Sequence, residues 1–393
     1  MSFRSAVRKN TPKVELHSIM SLIVSAYKKG KTRLWKEVTE LHYPNNPEAA
    51  LLVAFEPGYE TWELENFIPI LEQGQNDDEW KVWEFFKKEV VPGLVKEAKE
   101  GNRVTYLVGI DTADRCIDAA TAWLLYTKGK KYGKTFSSLQ EISDNTSENG
   151  WTLLYDELKK QFDALRGTGY GIMALAWTKE KETTLYDGKK YNSIELMMHN
   201  TGRKIFESQS SLICCLSDEV KILDKEGNEL EENIVNKKGK EVGTKFHETE
   251  IYMHFRPTQY ISIAGGRFTN LPEKMLYSAE NFLKVFEDAV KGQLKKTTGS
   301  LDELKKNENI ERENRVVVKE ETKETIVDKE DTTETEELLK EQIDKIVIVI
   351  TALQKDGVKN KPIKEACNNS NPKKLTSLEE AKKVFENLSK LAS

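Results

Sequence analysis

Between Ile19 and Val38 the chain passes from an apolar run, through a short polar loop, into a segment able to form a helix. Ile19-Met20-Ser21-Leu22-Ile23-Val24 reads as a buried strand, and Arg33-Leu34-Trp35-Lys36-Glu37-Val38 as the first turns of the helix. The loop between them, Ser25-Ala26-Tyr27-Lys28-Lys29-Gly30-Lys31-Thr32, matches the phosphate-binding pattern G-x-x-x-x-G-K-[ST] in its last three positions. Serine stands where that pattern begins with glycine. A helix amino terminus offers unpaired N–H groups and partial positive charge, so a polyphosphate binds there readily. Gly30 lets the backbone approach the phosphates. Ser25, Lys29, Gly30, Lys31, Thr32 and Arg33 are therefore the candidate nucleotide contacts, with Lys31 on the β- and γ-phosphates and the Thr32 hydroxyl on Mg²⁺. ATP·Mg²⁺ is the expected cofactor. A chance Gly-Lys-Thr in a chain with 60 Lys and Arg is the competing explanation, and the flanking strand and helix argue against it. The first glycine often takes a backbone angle that serine resists, so Ser25 predicts strain.

Two further strand ends carry carboxylates. Val108-Gly109-Ile110-Asp111-Thr112 places Asp111 where a second Mg²⁺ ligand belongs, beside Thr32. Leu51-Leu52-Val53-Ala54-Phe55-Glu56 places Glu56 before the turn at Pro57-Gly58, where a carboxylate orients and deprotonates an attacking water. Helix capping explains many apolar runs that end in Asp, and Glu56 also fits a plain turn residue. Ligands of open parallel sheets bind outside the carboxyl ends of the strands, so these groups are expected to share one crevice.

The apolar runs Ile19–Ser25, Ala50–Phe55, Val104–Ile110 and Gly171–Trp177 alternate with helical stretches, which predicts parallel β-α units. Leu212–Leu216, Val220–Leu223, Glu248–Phe255 and Tyr260–Ala264 read as short antiparallel additions at one edge, with Lys225-Glu226-Gly227-Asn228 as a turn. A helix from about Ser278 to Lys291 closes this domain. Residues 301–340 hold 14 acidic and 8 basic side chains, a net of −6 against −5 for the whole chain. Their composition predicts a disordered linker over 299–335. The expected organisation is a basic tail at 1–15, a nucleotide-binding domain at 16–298, the linker, and a small helical domain at 336–393. Within the last, Ser377 and Glu380 form a capping-box pattern. Four cysteines at no metal-binding spacing predict a reducing compartment. With no signal-peptide pattern and no long apolar run, a cytoplasmic protein that neither spans nor binds a membrane is expected. The five histidines are scattered, none with acids at ligand spacing, and read as packing or surface residues.

In their order, strand–Gly-Lys-Thr, strand–Glu, strand–Asp-Thr and strand–polar, these segments resemble the RecA core. Phe55-Glu56-Pro57-Gly58-Tyr59, Gly109-Ile110-Asp111-Thr112 and Ala264-Gly265-Gly266-Arg267-Phe268 resemble the phage-encoded RecA-like ATP-binding proteins that accompany single-strand annealing. The resemblance covers roughly Leu16 to Gly292. It implies a RecA-like P-loop α/β fold, Glu56 as catalytic carboxylate, Asp111 as the Walker B acid, and Arg267 as a cation reaching a neighbouring subunit's nucleotide in a homo-oligomer. Trp177-Thr178 stands where such proteins carry an amide or histidine that senses the γ-phosphate, so Thr178 is the candidate substitute.

Two lysine-rich stretches, expected as loops, bear on single-stranded DNA: Lys128, Lys130, Lys131 and Lys134 in one, Lys179, Lys181, Lys189 and Lys190 in the other. Lysines neutralise phosphates while Tyr132, Tyr186 or Tyr191 stack on bases. Solvated loops of a lysine-rich protein explain the same residues. The expectation is a RecA-like ATPase acting on single-stranded DNA in phage recombination or replication, with its C-terminal helical domain recruiting a single-strand-binding or annealing protein. A non-catalytic nucleotide-responsive module that assembles a replication complex is the alternative. A small-molecule kinase fits less well.

Overall fold

The computed structural model describes residues 7, 10–74, 78–184, 186–223, 246–294 and 300–323, and in the C-terminal part 343, 345–347, 349–354, 362–363, 366–367 and 378–392. Ten strands form its sheet: β1 Met20–Ser25, β2 Ala50–Ala54, β3 Phe67–Ile68, β4 Leu107–Asp111, β5 Gly171–Thr184, β6 Lys190–Leu196, β7 Leu212–Leu223, β8 Phe246–His254, β9 Gly265–Gly266 and β10 Lys274–Leu276. The order is β10-β8-β7-β1-β5-β4-β2-β3. From β7 to β3 all neighbours are parallel, and β8, β10, β6 and β9 add antiparallel. The chain is thus mixed α/β with a mostly parallel sheet and antiparallel edge strands, as its alternating pattern predicts.

Alternate side chains of the central strands face opposite layers, which is why these strands are apolar throughout. Leu22, Val24, Val53, Val108 and Ile172 pack under the helices α2 Trp80–Phe85, α3 Val91–Glu100, α4 Ala113–Tyr132, α5 Leu139–Asn145, α6 Gly150–Gly167 and α7 Asn200–Gln209. Ile23, Leu52, Met173 and Leu175 pack instead with α1 Lys31–His42 and α8 Ala279–Gln293, through Leu34, Trp35, Phe282 and Phe286. A Cβ on Gly109 would lie 2.8 Å from the Trp35 ring, so glycine there lets α1 rest directly on β4. A π-helical turn at Phe86–Val90 joins α2 to α3.

Several sequence expectations change in three dimensions. Tyr260–Ala264 is no strand: Thr258 and Ile261 close a turn, and Ile261 makes an isolated bridge to Ile194. Ile261, Ile263 and Ala264 are buried without a ladder, while Tyr260 is exposed. The lysine stretches are not loops. Lys128, Lys130 and Lys131 ride on α4, and Lys179 to Lys190 belong to the β5–β6 hairpin. Residues 301–323, expected to be disordered, form helix α9 Leu301–Lys323. Its early turns bury Leu304, Glu308 and Arg312 against the N-terminal segment, with the Val14 N–H donating to Glu308 Oε2 at 2.7 Å. Those few inward-facing groups offset a composition that is otherwise solvated. The rest of the expected linker, the turn at 225–228 and the cap at Ser377 lie outside the described residues. The chain divides near Val316. In the second unit Ile346, Leu353, Ile363, Cys367, Val384 and Leu388 form an apolar cluster, the last two from α10 Leu378–Ala392.

Candidate functional site

Strand β1 ends at Ser25, opposite Trp177 of β5, and the loop that follows turns into α1. Gly30 caps α1 in the left-handed region at φ 86°, where glycine alone is unstrained. No side chain caps this helix, nor α4, whose cap residue is Thr112. By contrast Ser138, Asn149 and Ser278 cap α5, α6 and α8 with side-chain hydrogen bonds. Helices α2, α3 and α7 lack side-chain caps as well, so the open start of α1 is placed at the crevice by topology rather than marked out by its missing cap. The expected strain at Ser25 is absent. Ser25 is a regular strand residue, fully buried, and Lys28 takes the left-handed conformation instead, at φ 59°.

The candidate metal pair, Thr32 and Asp111, is brought together. Thr32 Oγ1 donates to Asp111 Oδ2 at 2.7 Å, while Asp111 Oδ1 is buried without a partner among the described residues. A fully buried carboxylate with one oxygen unused, beside a hydroxyl at a helix start, fits Mg²⁺. Burial pushes the Asp111 carboxyl up from its usual range, and the Thr32 hydrogen bond opposes the rise. The main chain from β4 supports the next loop, because Asp111 O accepts from Phe55 N at 2.5 Å and Glu56 N at 3.1 Å. This brings Glu56 to Thr112, whose Oγ1 donates to Glu56 Oε2 at 3.4 Å. Burial, then the charge of Asp111, raises the Glu56 carboxyl to about 7. Lys31 is also buried; burial lowers its amine, while Glu56, Asp111 and Asp114 hold it up. Its Nζ donates to Ser25 Oγ and Ala26 O, each at 3.1 Å, and lies 3.4 Å from Ser25 O.

Three residues that the sequence did not single out complete the crevice. A Cβ on Gly58 would stand 3.2 Å from Thr32 Oγ1 and 3.5 Å from Asp111 Oδ2, so this glycine roofs the metal pair. Asp114, its carboxyl raised to about 6 mainly by burial, accepts from Trp177 N at 2.7 Å and ties α4 to the end of the β5 core. Tyr277 donates to Gly30 O at 3.1 Å, and the Arg33 guanidinium lies 5.4 Å from its ring centre. A signal for Asp114 lay in the sequence, three residues past the strand-end acid. Tyr277, 247 residues from Gly30, had none.

The remaining candidates fall in different places. Lys29 pairs with Asp218 of β7 and Arg33 with Glu37 at 2.6 Å. Thr178 is buried and opens the hairpin opposite Leu196. Arg267 is not in this crevice. Its N–H donates to Ser211 O and its Nη2 to Ser208 O, at the start of β7, so it lies at the opposite edge of the sheet from the phosphate loop. Lys128 and Lys131 both pair with Glu148, Lys181 with Glu195, Lys189 with Asp187, and Lys190 with Glu182. Lys130 sits near the far end of α4 and Lys134 just past it, roughly 25 Å along from the crevice, and Lys179 lies on β5 opposite Glu195. Tyr132 packs on the core, whereas Tyr186 is fully exposed.

The sequence profile of one family, described as an AAA domain, matches residues 17–253, more than half of the chain. The chain belongs to that family. No curated protein matches it. The AAA domain is a nucleotide-binding P-loop ATPase domain, and the matched residues run from the segment before β1 to the end of β8. They include the phosphate loop, Glu56, Asp111 and Thr178, and stop short of Arg267 and Tyr277. No helix among the described residues is long and apolar enough to cross a membrane.

Proposed function

We propose that this AAA domain hydrolyses ATP with Mg²⁺, and that it does so as a RecA-like homo-oligomer on single-stranded DNA in phage-type recombination or replication. The observation that carries the catalytic half is the position of Glu56, raised to about 7 and held beside the Thr32–Asp111 pair. Thr32 and Asp111 would hold Mg²⁺, which when bound neutralises charge on the β- and γ-phosphates. Lys31 would leave Ser25 and Ala26 for the phosphates. Glu56 orients the attacking water and accepts its proton, a role suited to a carboxyl poised near neutral pH.

The DNA half rests on the hairpins. Beyond Trp177, β5 runs seven further residues, Thr178–Thr184, which is about 23 Å past the end of β1. Lys179, Lys181, Lys189, Lys190 and exposed Tyr186 lie on it, a suitable track for a phosphate backbone with a base-stacking ring. Five of the eight named lysines, Lys128, Lys131, Lys181, Lys189 and Lys190, would have to leave their acid partners for phosphates. Arg267, remote from its own crevice, serves a nucleotide only in a neighbouring subunit. Residues 336–393 would recruit a single-strand-binding or annealing protein.

A specific observation favours a second reading. Lys31 is latched onto its own loop, and Thr178 stands where a γ-phosphate sensor belongs, as a non-hydrolysing, nucleotide-responsive module would have it. ATP turnover with and without single-stranded DNA, on the wild type, Lys31→Ala and Glu56→Gln, separates the two. DNA-stimulated turnover lost in both variants is expected. Tight ATP binding by a wild type that never turns over would favour the module, and ATP affinity unchanged by Lys31→Ala would overturn the phosphate-loop assignment.

A further inference from the structure

At the other end of the same strand–loop–helix unit, residues far apart in sequence meet. The turn Leu16–Ser18 leads into β1, and α1 runs back to end at His42. Gly171 at the start of β5 makes room for this turn: a Cβ there would lie 2.4 Å from the His17 carbonyl. Glu15, His17 and His42 each bring one ligand atom to within 4.8 Å of the others. The scattered spacing of the histidines suggests packing or surface residues, but the antiparallel return of α1 removes the separation.

We infer that Glu15, His17 and His42 form a binding site for a divalent transition metal ion, Zn²⁺ foremost, distinct from the Mg²⁺ pair at the phosphate loop. Two imidazoles and a carboxylate are the donor set that Zn²⁺ takes with an open fourth position. The second observation is the state of His17. It is 7% exposed, and its Nε2 is buried without a close hydrogen bond among the described residues, with the Asn309 side chain of α9 beside the ring. Its Nδ1 lies 2.8 Å from the Tyr43 hydroxyl. With the Nδ1 proton given to Tyr43, the Nε2 lone pair is free for an ion, and a ring held by its other nitrogen is the usual arrangement for a metal-ligating histidine.

Four-coordinate Zn²⁺ holds its ligands about 3.4 Å apart, from bonds near 2.0–2.2 Å. The cluster must therefore contract by up to about 1.4 Å. His42, on the last turn of α1 with its side chain 21% exposed and its Nε2 3.9 Å from Glu15 Oε2, is the group able to move. Helix α9 contributes the surrounding charges. Lys305 and Arg312 bear on the cluster, and Glu308, 3.9 Å from Arg312, offsets them. The ion would clamp the segment ahead of β1 to the end of α1, roughly 18 Å along that helix from the phosphate loop.

The test uses full-length, metal-free protein without nucleotide, titrated with Zn²⁺ and with Co²⁺. One equivalent should bind, with the visible ligand-field band of four-coordinate Co²⁺ and a rise of several degrees in Tm under excess Zn²⁺. His42→Ala and Glu15→Gln should weaken binding by about 100-fold, and Tyr43→Phe by about 10-fold, because it loosens His17 without removing a ligand. Lys31→Ala should leave uptake unchanged, so the result does not depend on the ATPase reading. Circular dichroism checks that the variants fold, and the wild-type titration decides alone if they do not. A wild type without the Co²⁺ band, or one whose band survives His42→Ala, would overturn the assignment.

Discussion

The two ends of α1 hold polar residues in different ways. At its start, Gly30, Lys31 and Thr32 are consecutive, and of the acids they meet Asp111 ends β4 and Glu56 follows the end of β2 by two residues. At its close, His42 and Tyr43 meet Glu15 and His17 from the segment ahead of β1. The first end is built by the topology, since parallel strands deliver their carboxyl termini to one edge. The second is built by a helix returning over its own strand, and any residue type could stand there. The first end leaves a buried carboxylate oxygen unused on two residues among those described, Asp111 Oδ1 and Asp114 Oδ1. The second leaves His17 Nε2 unused among the described residues, with Glu308 Oε1, also without a hydrogen bond, and Arg103 in the charged surround.

Glu56→Gln should break this contrast most if it is wrong. Loss of the carboxylate is expected to lower kcat by about 10²–10⁴ while ATP affinity and Zn²⁺ uptake stay near wild type. The sign of the pH dependence follows from the raised carboxyl: the base works deprotonated, so kcat/KM should climb from acid pH and level off above about 7. The variant's residual rate should lose that limb. A flat profile in the wild type would make Glu56 a turn residue.

Gly58→Ala probes the same end more gently. Glycine is not needed there for conformation, because its φ lies outside the left-handed region; it is needed for space. A methyl 3.2 Å from Thr32 Oγ1 crowds the metal pair. Turnover at limiting Mg²⁺ should fall about 10-fold and recover in part at high Mg²⁺, with Tm little changed. Equal loss at all Mg²⁺ concentrations would instead mean that the turn carrying Glu56 has shifted.

How much of this was legible depends on whether neighbours in space are neighbours in sequence. Gly30-Lys31-Thr32 and the strand-end acids announced a phosphate site because short motifs and apolar runs carry it. The parallel core followed from the same runs. Tyr277 and the Glu15–His17–His42 cluster were silent, and Gly58 showed only as a turn residue, since each takes its meaning from a partner brought in by the fold. Composition misled at 301–323, where Leu304, Glu308 and Arg312 suffice to seat a helix that reads as solvated. It also misled at the lysine stretches, where periodicity across 179–190 is that of a charged hairpin with cross-strand ion pairs, not of a loop.

Ser25 gives the smallest expected effect and the finest distinction. The sequence reading made it a defect of backbone conformation, yet its place in β1 is regular and its side chain holds Lys31 Nζ at 3.1 Å. Ser25→Ala keeps the strand and removes one of the oxygens around a buried ammonium. A hydrogen bond to a charged group contributes about 1.5–3 kcal/mol, of which the neighbouring Ala26 carbonyl retains a share. Freeing Lys31 should therefore tighten ATP binding by a few-fold, read by equilibrium titration, with kcat unchanged. Weaker binding would show that the serine hydroxyl contacts the nucleotide itself, and the latch would then be a feature of the ligand-free loop alone.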